Sequence, residues 1–494
     1  MCIRDSPSTS LATRTNVPMV ITLSRQATKT RRGVRPTTLV VWCYVALITA
    51  GTVLLMLPIS AVNSHPTGQC APSPGDMCLP TALSDALFTA TSATSLTGLI
   101  TVDTATHWST FGKVVIMLLI QLGGLGFMTL ASLFGLFVAG RLGLNRRAGA
   151  RVEGRGMDMG EISWVVRAAV SFTLLVEFVV AVALTLRFHS GYGYGWGKAA
   201  WEGLFHAISS FNNAGFALYT DNVIGFYSDA WVLLPLAFAL IVGGLGFPVL
   251  LEAWRHGKAW LSVCTRGQLP KRWSLTTRFT IKGTILLIAL GTLMVAFGEW
   301  SNAMSGFTAG EKILNSFFAG VSPRTAGFNA LDYAEFHPST LLGTDFLMFI
   351  GGGTGGTAGG VKITTSAVIL AAVLAEIRGD TSVSVARRRL NPKVLRQALV
   401  VLAFGIGQVF LAVIAVSFLA PQFSTDQILF EVISAFATVG LSTGITADLP
   451  VAAQAIFIVL MFTGRVGPIA LATALAARPR QRVYEYPEER PFIG

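Results

Sequence analysis

Charge is what this chain has least of. Lys, Arg, Asp and Glu make up 13% of its 494 residues, about half the share that soluble domains use to cover a water-facing surface. The charges present are clustered, and long runs such as 39–57 and 114–140 contain none. A water-soluble globule is excluded. Histidine is scarce too: six residues, scattered, without the spacing of a metal site. With no nucleophile–base constellation, no catalytic residue and no bound organic cofactor are expected, and the chain does not read as an enzyme. Of five cysteines, Cys2, Cys43 and Cys264 stand alone. Cys70 and Cys78 share a loop rich in Pro and Gly, where they either form a bridge in an oxidising compartment or stay as two thiols. Residues 1–38 hold one acid, Asp5, and no apolar core, and read as a flexible cytoplasmic tail rather than a targeting signal.

What the chain has in place of charge is apolar length. About 20 apolar residues cross a bilayer as a helix, and eight stretches qualify, at 39–57, 114–139, 164–186, 231–251, 279–298, 341–375, 397–419 and 452–477. Basic residues mark the side on which their ends lie. The stretches 1–38, 140–167, 254–282, 376–396 and 478–494 carry 30 of the 37 Lys and Arg. The alternate loops instead carry acids such as Asp103, Asp221, Asp332, Glu335 and Asp448. Both termini, including the tail 478–494, are therefore expected in the cytoplasm. The net charge of +12 is this bias and not a nucleic-acid footprint, and the basic loops suit anionic lipid.

The loops between spans hide a repeat. FTATSATSLTGL (88–99), FHAISSFNNAGF (205–216), FFAGVSPRTAGF (317–328) and FEVISAFATVGL (430–441) each place a Phe ten positions before a Gly that a large apolar residue follows. The glycines are Gly98, Gly215, Gly327 and Gly440, spaced 117, 112 and 113 apart. Before each lies an apolar run too short to cross, which reads as a re-entrant segment, and irregular backbone at that depth is tolerated only beside water or protein. The expected fold is an all-α membrane protein: four M1–P–M2 repeats around a pseudo-fourfold pore, with eight spanning helices and four re-entrant loops. The repeats fall at 39–140, 160–254, 278–377 and 394–477.

A cation gives up water only where carbonyl oxygens replace it, and glycine turns carbonyls toward an axis without a Cβ penalty. The expected filter is Thr97 and Gly98; Asn213, Ala214 and Gly215; Thr325, Ala326 and Gly327; Thr438, Val439 and Gly440. Carbonyl dipoles, not carboxylates, would do the selecting. Asp103, Asp221, Asp332 and Asp448 either concentrate cations at the mouth or are ordinary loop acids.

A second glycine cluster lies in each outgoing span, and the third is extreme. Gly351, Gly352, Gly353, Gly355, Gly356, Gly359 and Gly360 crowd into ten residues, which no straight helix tolerates at about 1 kcal/mol per Gly relative to Ala. That span is expected to break into a mobile gate. It matches GxGxxG, but no βαβ unit surrounds it, so a nucleotide site is set aside. Arg465 falls mid-span, where a charge is expensive and usually functional, and is read as a barrier or an anchor for the glycine loop. Lys362 either serves the gate or only reaches the cytoplasmic side. Arg324 is expected to brace the third filter segment, and Glu177 is read as an isolated intramembrane acid.

These residues together resemble the Trk/Ktr/HKT potassium transporter superfamily over about 39–477. The likeness is carried by SLTGL (95–99), NNAGFAL (212–218), SPRTAGFNALD (322–332), ATVGLSTG (437–444), GGGTGGTAGGVKITT (351–365) and Arg465 in TGRVGP. The short N-terminal tail is more similar to the KtrB branch than to TrkH-type members. The resemblance implies potassium uptake across a bacterial plasma membrane, a homodimer, and a cytosolic nucleotide-binding regulatory subunit of the KtrA/TrkA type. It marks Gly98 as a potassium signature and leaves sodium open as a coupling or activating ion. A sodium-coupled transporter with inverted twofold repeats fits four same-direction repeats poorly.

Overall fold

Small polar caps start several helices of this chain, and glycine caps the ends of two of them, at Gly246 and Gly467. The computed structural model describes residues 36–62, 81–125, 159–266, 273–380, 382–385 and 388–467. All lie in one unit spanning 35–494. Among them run fourteen α-helices: α1 (Pro36–Leu55), α2 (Leu83–Ser95), α3 (Thr110–Gly124), α4 (Met159–Tyr192), α5 (Trp196–Phe211), α6 (Ala230–Leu245), α7 (Phe247–Arg266), α8 (Leu275–Glu299), α9 (Ala309–Val321), α10 (Pro338–Phe349), α11 (Ile363–Ile377), α12 (Pro392–Leu419), α13 (Thr425–Ala437) and α14 (Val451–Val466). A two-residue hairpin, β1 (Ser384–Val385) with β2 (Arg388–Arg389), separates α11 from α12. Ser109, Ser274, Thr308 and Asn391 each accept a hydrogen bond from a first-turn amide, satisfying donors that a helix start leaves open. Thr308 with Glu311 and Ser424 with Gln427 complete reciprocal capping boxes on α9 and α13.

The chain is a multi-pass, all-α membrane protein, and among the described residues its apolar helices differ in length. Arg167–Tyr192, Leu275–Glu299 and Pro392–Leu419 are each long and apolar enough to cross a bilayer alone. Their exposed Phe178, Phe297, Phe410 and Phe418 suit lipid, not water. A fourth candidate is bent by 99° between α6 and α7, at Gly246, whose φ of +88° favours glycine. The remaining apolar helices, Val41–Leu55, Thr110–Gly124, Ile363–Ile377 and Val451–Val466, are shorter. The third outgoing span is broken as expected, into α10 and α11, by residues 350–362. The expected second halves of the spans at 114–139 and 452–477, the Cys70–Cys78 pair, the tail 478–494 and nearly all of the tail 1–38 lie outside the described residues.

One contact rule recurs around the assembly. α3 packs on α5, α6 on α9, α10 on α13, and α14 back on α2. Each outgoing helix thus leans on the short helix of the next segment, and the fourth closes on the first. The apolar core follows the same seams. Leu55, Ala90 and Ile116 cluster with Phe205 and Phe216; Leu233 and Phe211 with Phe318; Met348 and Phe436 with Phe88.

Glycine sets the closeness of packing within each segment. A Cβ on Gly123, Gly243 or Gly464 would strike the backbone carbonyl of Thr94, Phe211 or Phe436 respectively. Each carbonyl belongs to the residue four before one of the aligned glycines Gly98, Gly215 and Gly440, so these glycines let an outgoing helix touch the end of its own short helix. Gly464→Ala should therefore cost about 1–3 kcal/mol, the range for overpacking a filled site, and lower the melting temperature of the detergent-solubilised protein. Gly407→Ala on α12, where a Cβ meets nothing within 4 Å, should leave that temperature unchanged or raise it.

Candidate functional site

After each short helix the backbone makes the same unusual turn. Leu96, Asn213, Thr325 and Thr438 have φ of 60°, 57°, 69° and 52°, and two residues later Gly98, Gly215, Gly327 and Gly440 have φ of 93°, 73°, 69° and 92°. Left-handed backbone costs a non-glycine residue about 1 kcal/mol, and such outliers gather where function over-determines the chain. Four copies in register are a single design. The glycines also meet. A Cβ on Gly98 would strike the Ala214 carbonyl; on Gly215, the Gly327 Cα at 2.9 Å; on Gly327, the Val439 carbonyl at 2.5 Å; on Gly440, the Thr97 carbonyl. The ring closes, 98 to 215 to 327 to 440 to 98. Thr97, Asn213, Ala214, Thr325, Ala326, Thr438 and Val439 are all buried in it.

Serine supports this ring from behind. Backbone N–H groups of Thr97, Ala214, Ala326 and Val439 donate to the carbonyls of Ser92, Ser209, Ser322 and Ser434 at 2.8–3.0 Å. The hydroxyls of Ser92 and Ser209 donate to the Leu99 and Phe216 carbonyls, each at 2.7 Å, and that of Ser322 to Phe328. Ser434 accepts from the Gly440 amide at 3.1 Å. Sequence reasoning passed over these serines, although each follows the aligned Phe by four or five positions. The third segment is offset by one: Phe318, not Phe317, is the fully buried ring, because Ser322 stands five positions before its glycine where the other three serines stand six before theirs.

The acids near the ring are braces. Glu431 lies inside the fourth segment and was overlooked in an expectation built on carbonyls alone. It accepts from Ser442 Oγ at 2.5 Å, Thr443 N–H at 3.0 Å and Thr446 Oγ1 at 2.7 Å, clamping the chain just past Gly440. Asp85 holds Thr101 Oγ1 at 2.8 Å, and Glu202 accepts from Tyr219. Glu177 is not isolated: Gln121 Nε2 and Asn212 Nδ2 donate to it at 3.1 and 2.9 Å, linking α4, α3 and the second filter segment. Asp345, within the expected span 341–375, is a further buried acid inside α10, visible in the sequence but not singled out there. Arg324 is buried, but its Nε has no hydrogen-bond partner, so no hydrogen bond from Nε supports the expected brace. Among the mouth acids, Asp103 accepts from Thr220 at 2.8 Å and Asp332 caps a turn at Ala334, while Asp221 and Asp448 are exposed.

The glycine-rich loop lies against several parts of the ring's support. Gly351 N–H donates to Val361 at 2.9 Å and Ile363 N–H to Gly352 at 3.1 Å, closing the loop's neck. Gly353 and Thr357 donate to the Gly244 and Gly243 carbonyls of α6 at 2.9 and 3.3 Å, and Gly356 to Gly353 at 3.3 Å. A Cβ on Gly359 would strike Thr438 Oγ1, one on Gly360 would lie 3.2 Å from Ala437, and one on Gly355 3.1 Å from Pro248. The Lys362 ammonium folds back onto the Ala358 carbonyl instead of leaving the loop. Arg465 donates to the Thr357 carbonyl, to the Gly123 carbonyl at 3.1 Å and to Tyr44 Oη at 3.4 Å. Two loop amides, those of Gly353 and Thr357, are thus satisfied by α6.

The chain is similar to known proteins along most of its length. The sequence model of the TrkH family, described as a cation transport protein, matches residues 29–486. The Ktr system potassium uptake protein B of Bacillus subtilis is 38% identical over 90% of this chain and 94% of its own, and that of Vibrio alginolyticus 36% over 91% and 93%. The potassium/sodium uptake protein NtpJ of Enterococcus hirae is 33% identical over 94% and 99%. The crystal structure of the potassium transporter TrkH from Vibrio parahaemolyticus superposes with a TM-score of 0.69 at 17% identity, covering 92% of this chain and 87% of that one, a likeness of fold. The matched family and these relatives are transport proteins of the membrane, not enzymes. The chain belongs to the TrkH family of cation transport proteins.

Thr357 is where loop and ring meet through side chains: its Oγ1 donates to Asn213 Oδ1 at 2.8 Å. Thr357→Val keeps the shape and removes the donor, leaving Asn213 Oδ1 unpaired at a cost of about 1–2 kcal/mol. Hydrogen exchange at the Gly353 and Thr357 amides should then speed up roughly tenfold, since local opening carries the loss. Unchanged exchange would show that the backbone bonds alone hold the loop.

Proposed function

We propose that this protein takes up potassium across a bacterial plasma membrane through a selectivity filter formed by four re-entrant loops, gated by residues 351–360. The observation that carries the reading is the closed ring of Gly98, Gly215, Gly327 and Gly440, all at positive φ, each facing its neighbour's backbone. Backbone that is left-handed at alternate residues turns successive carbonyls to one side, and carbonyls are what a dehydrated potassium ion needs. Thr97, Ala214, Ala326 and Val439, and the residues at positive φ before them, supply the carbonyls below the glycines. The nearby carboxylates are engaged by hydroxyls and amides, which leaves dipoles to select the ion. The relatives' names, potassium uptake protein and potassium/sodium uptake protein, support potassium as cargo and allow sodium as a second ion.

The repeats 39–140, 160–254, 278–377 and 394–477 are the units of this pore, with both termini in the cytoplasm. The gate is the glycine loop, with Arg465 and Lys362 holding it by its carbonyls. The word "system" in the relatives' names supports a transporter that works with other subunits, and exposed bases such as Arg388 and Arg389 offer a surface for one; we read the assembly as a homodimer with a cytosolic nucleotide-binding subunit.

Gly98→Ser places a side chain where the Ala214 carbonyl stands and strains a φ of 93°. In competition uptake by cells lacking their own potassium transporters, it should admit sodium at least tenfold more readily relative to potassium. Wild-type discrimination would refute the first segment's place in the filter. Arg465→Ala releases the Thr357 and Gly123 carbonyls and should raise potassium flux in liposomes several-fold. A folded variant with equal or lower flux would make the loop scaffold rather than gate.

A further inference from the structure

Two of the four ring glycines carry a hydrogen bond that the other two lack. Asn222 lies seven residues after Gly215, and its Nδ2 donates to the Gly215 carbonyl at 3.2 Å and to the Gly327 carbonyl at 3.4 Å. Carbonyls only accept, so the amide nitrogen must face them. Its Oδ1 is buried without a partner. The residue sits at φ 59°, a conformation Asn adopts more readily than most. The turn carrying it is fixed by bonds from Asn222 N–H to Tyr219 at 3.2 Å and from Val223 N–H to Asn329 at 3.2 Å. The second of these ties it to the segment after Gly327. Seven residues after Gly98, Gly327 and Gly440 stand Ala105, Ala334 and Ala447, whose methyl groups donate nothing. Among the described residues no donor reaches the Gly98 or Gly440 carbonyl. At the glycine carbonyls the repeat is therefore broken by one side chain.

We infer that Asn222 weakens cation binding at the glycine carbonyls on the side shared by the second and third repeats. The inference rests on reading the ring as a potassium filter. An amide placed between two carbonyls takes the position of a cation toward both of them. Each oxygen keeps a second lone pair, but its negative end is partly spent, and the amide hydrogens repel an ion that approaches. The glycine plane then holds the ion chiefly through Gly98 and Gly440. Such lopsided, weakened binding serves conduction, which requires a site an ion can leave as well as enter.

The test compares Asn222→Ala and Asn222→Asp with the wild type in two measurements on the full chain. One is the potassium concentration that half-saturates flux in liposomes; the other is the midpoint of thermal stabilisation by potassium in detergent, which follows from binding to the folded state alone. Asn222→Ala frees both carbonyls and should lower both midpoints about three- to tenfold. Asn222→Asp keeps the volume and the tolerance of left-handed backbone, replaces the donor with a negative charge, and should lower them further. An unchanged or raised midpoint in the folded variants would overturn the inference, as would a drop in maximal flux at constant midpoint, the pattern of a residue that only holds the turn. Should the alanine variant not fold, the aspartate variant decides alone. Failure of the filter reading looks different: wild-type protein would show no stabilisation by potassium over sodium.

Discussion

Four glycines in this protein have no room for a side chain because the backbone of another repeat stands where it would be. Gly98 faces Ala214, Gly215 faces Gly327, Gly327 faces Val439, and Gly440 faces Thr97. Much of the surrounding structure can be read as the means of holding that contact. The short helices end where their last carbonyls approach it, and the serines near those ends hold the descending strand by both main chain and hydroxyl. The outgoing helices reach the same place because Gly123, Gly243 and Gly464 let them lie on the carbonyls just before each turn. Acids that would trap a cation are instead paired with Thr101, Tyr219 and Ser442. A ring built from backbone needs its side chains to face away from it.

The loop between α10 and α11 meets the ring on terms of the same kind. Its glycines approach Thr438, Ala437, Gly243 and Gly244 more closely than any larger residue could. Its one buried hydroxyl, on Thr357, bonds to Asn213 in the second filter segment. Arg465 joins that same residue's carbonyl to α3 and α1. The loop is held by backbone bonds and a few charged ends, with little apolar packing, so its stability relative to a displaced state depends on a small number of removable interactions. That suits the gate proposed for it.

Much of this was legible in the sequence, for reasons that are local. The spacing of Gly98, Gly215, Gly327 and Gly440, the seven glycines at 351–360 and the charge of Arg465 within an apolar run are patterns a linear reading sees. The offset in the third repeat was not, because Phe317 and Phe318 are both Phe and only packing chooses between them. Nor were the partners of Glu177 and Glu431, or the donors around Thr357, which lie from about a dozen to more than a hundred residues apart in the chain. Asn222 was missed because it breaks the repeat, and a search for periodicity discards what is not periodic. The second outgoing span was expected as one helix, since hydropathy counts apolar residues and does not register the glycine, Gly246, at which the chain bends.

The account stands on the claim that the ring's carbonyls replace the water of a potassium ion. Anomalous diffraction from crystals grown with rubidium tests it directly. The account predicts a peak on the axis enclosed by Gly98, Gly215, Gly327 and Gly440, within coordination distance of carbonyls from all four segments. Bound rubidium elsewhere in the membrane region, with none at the ring in protein that transports it, would contradict the account.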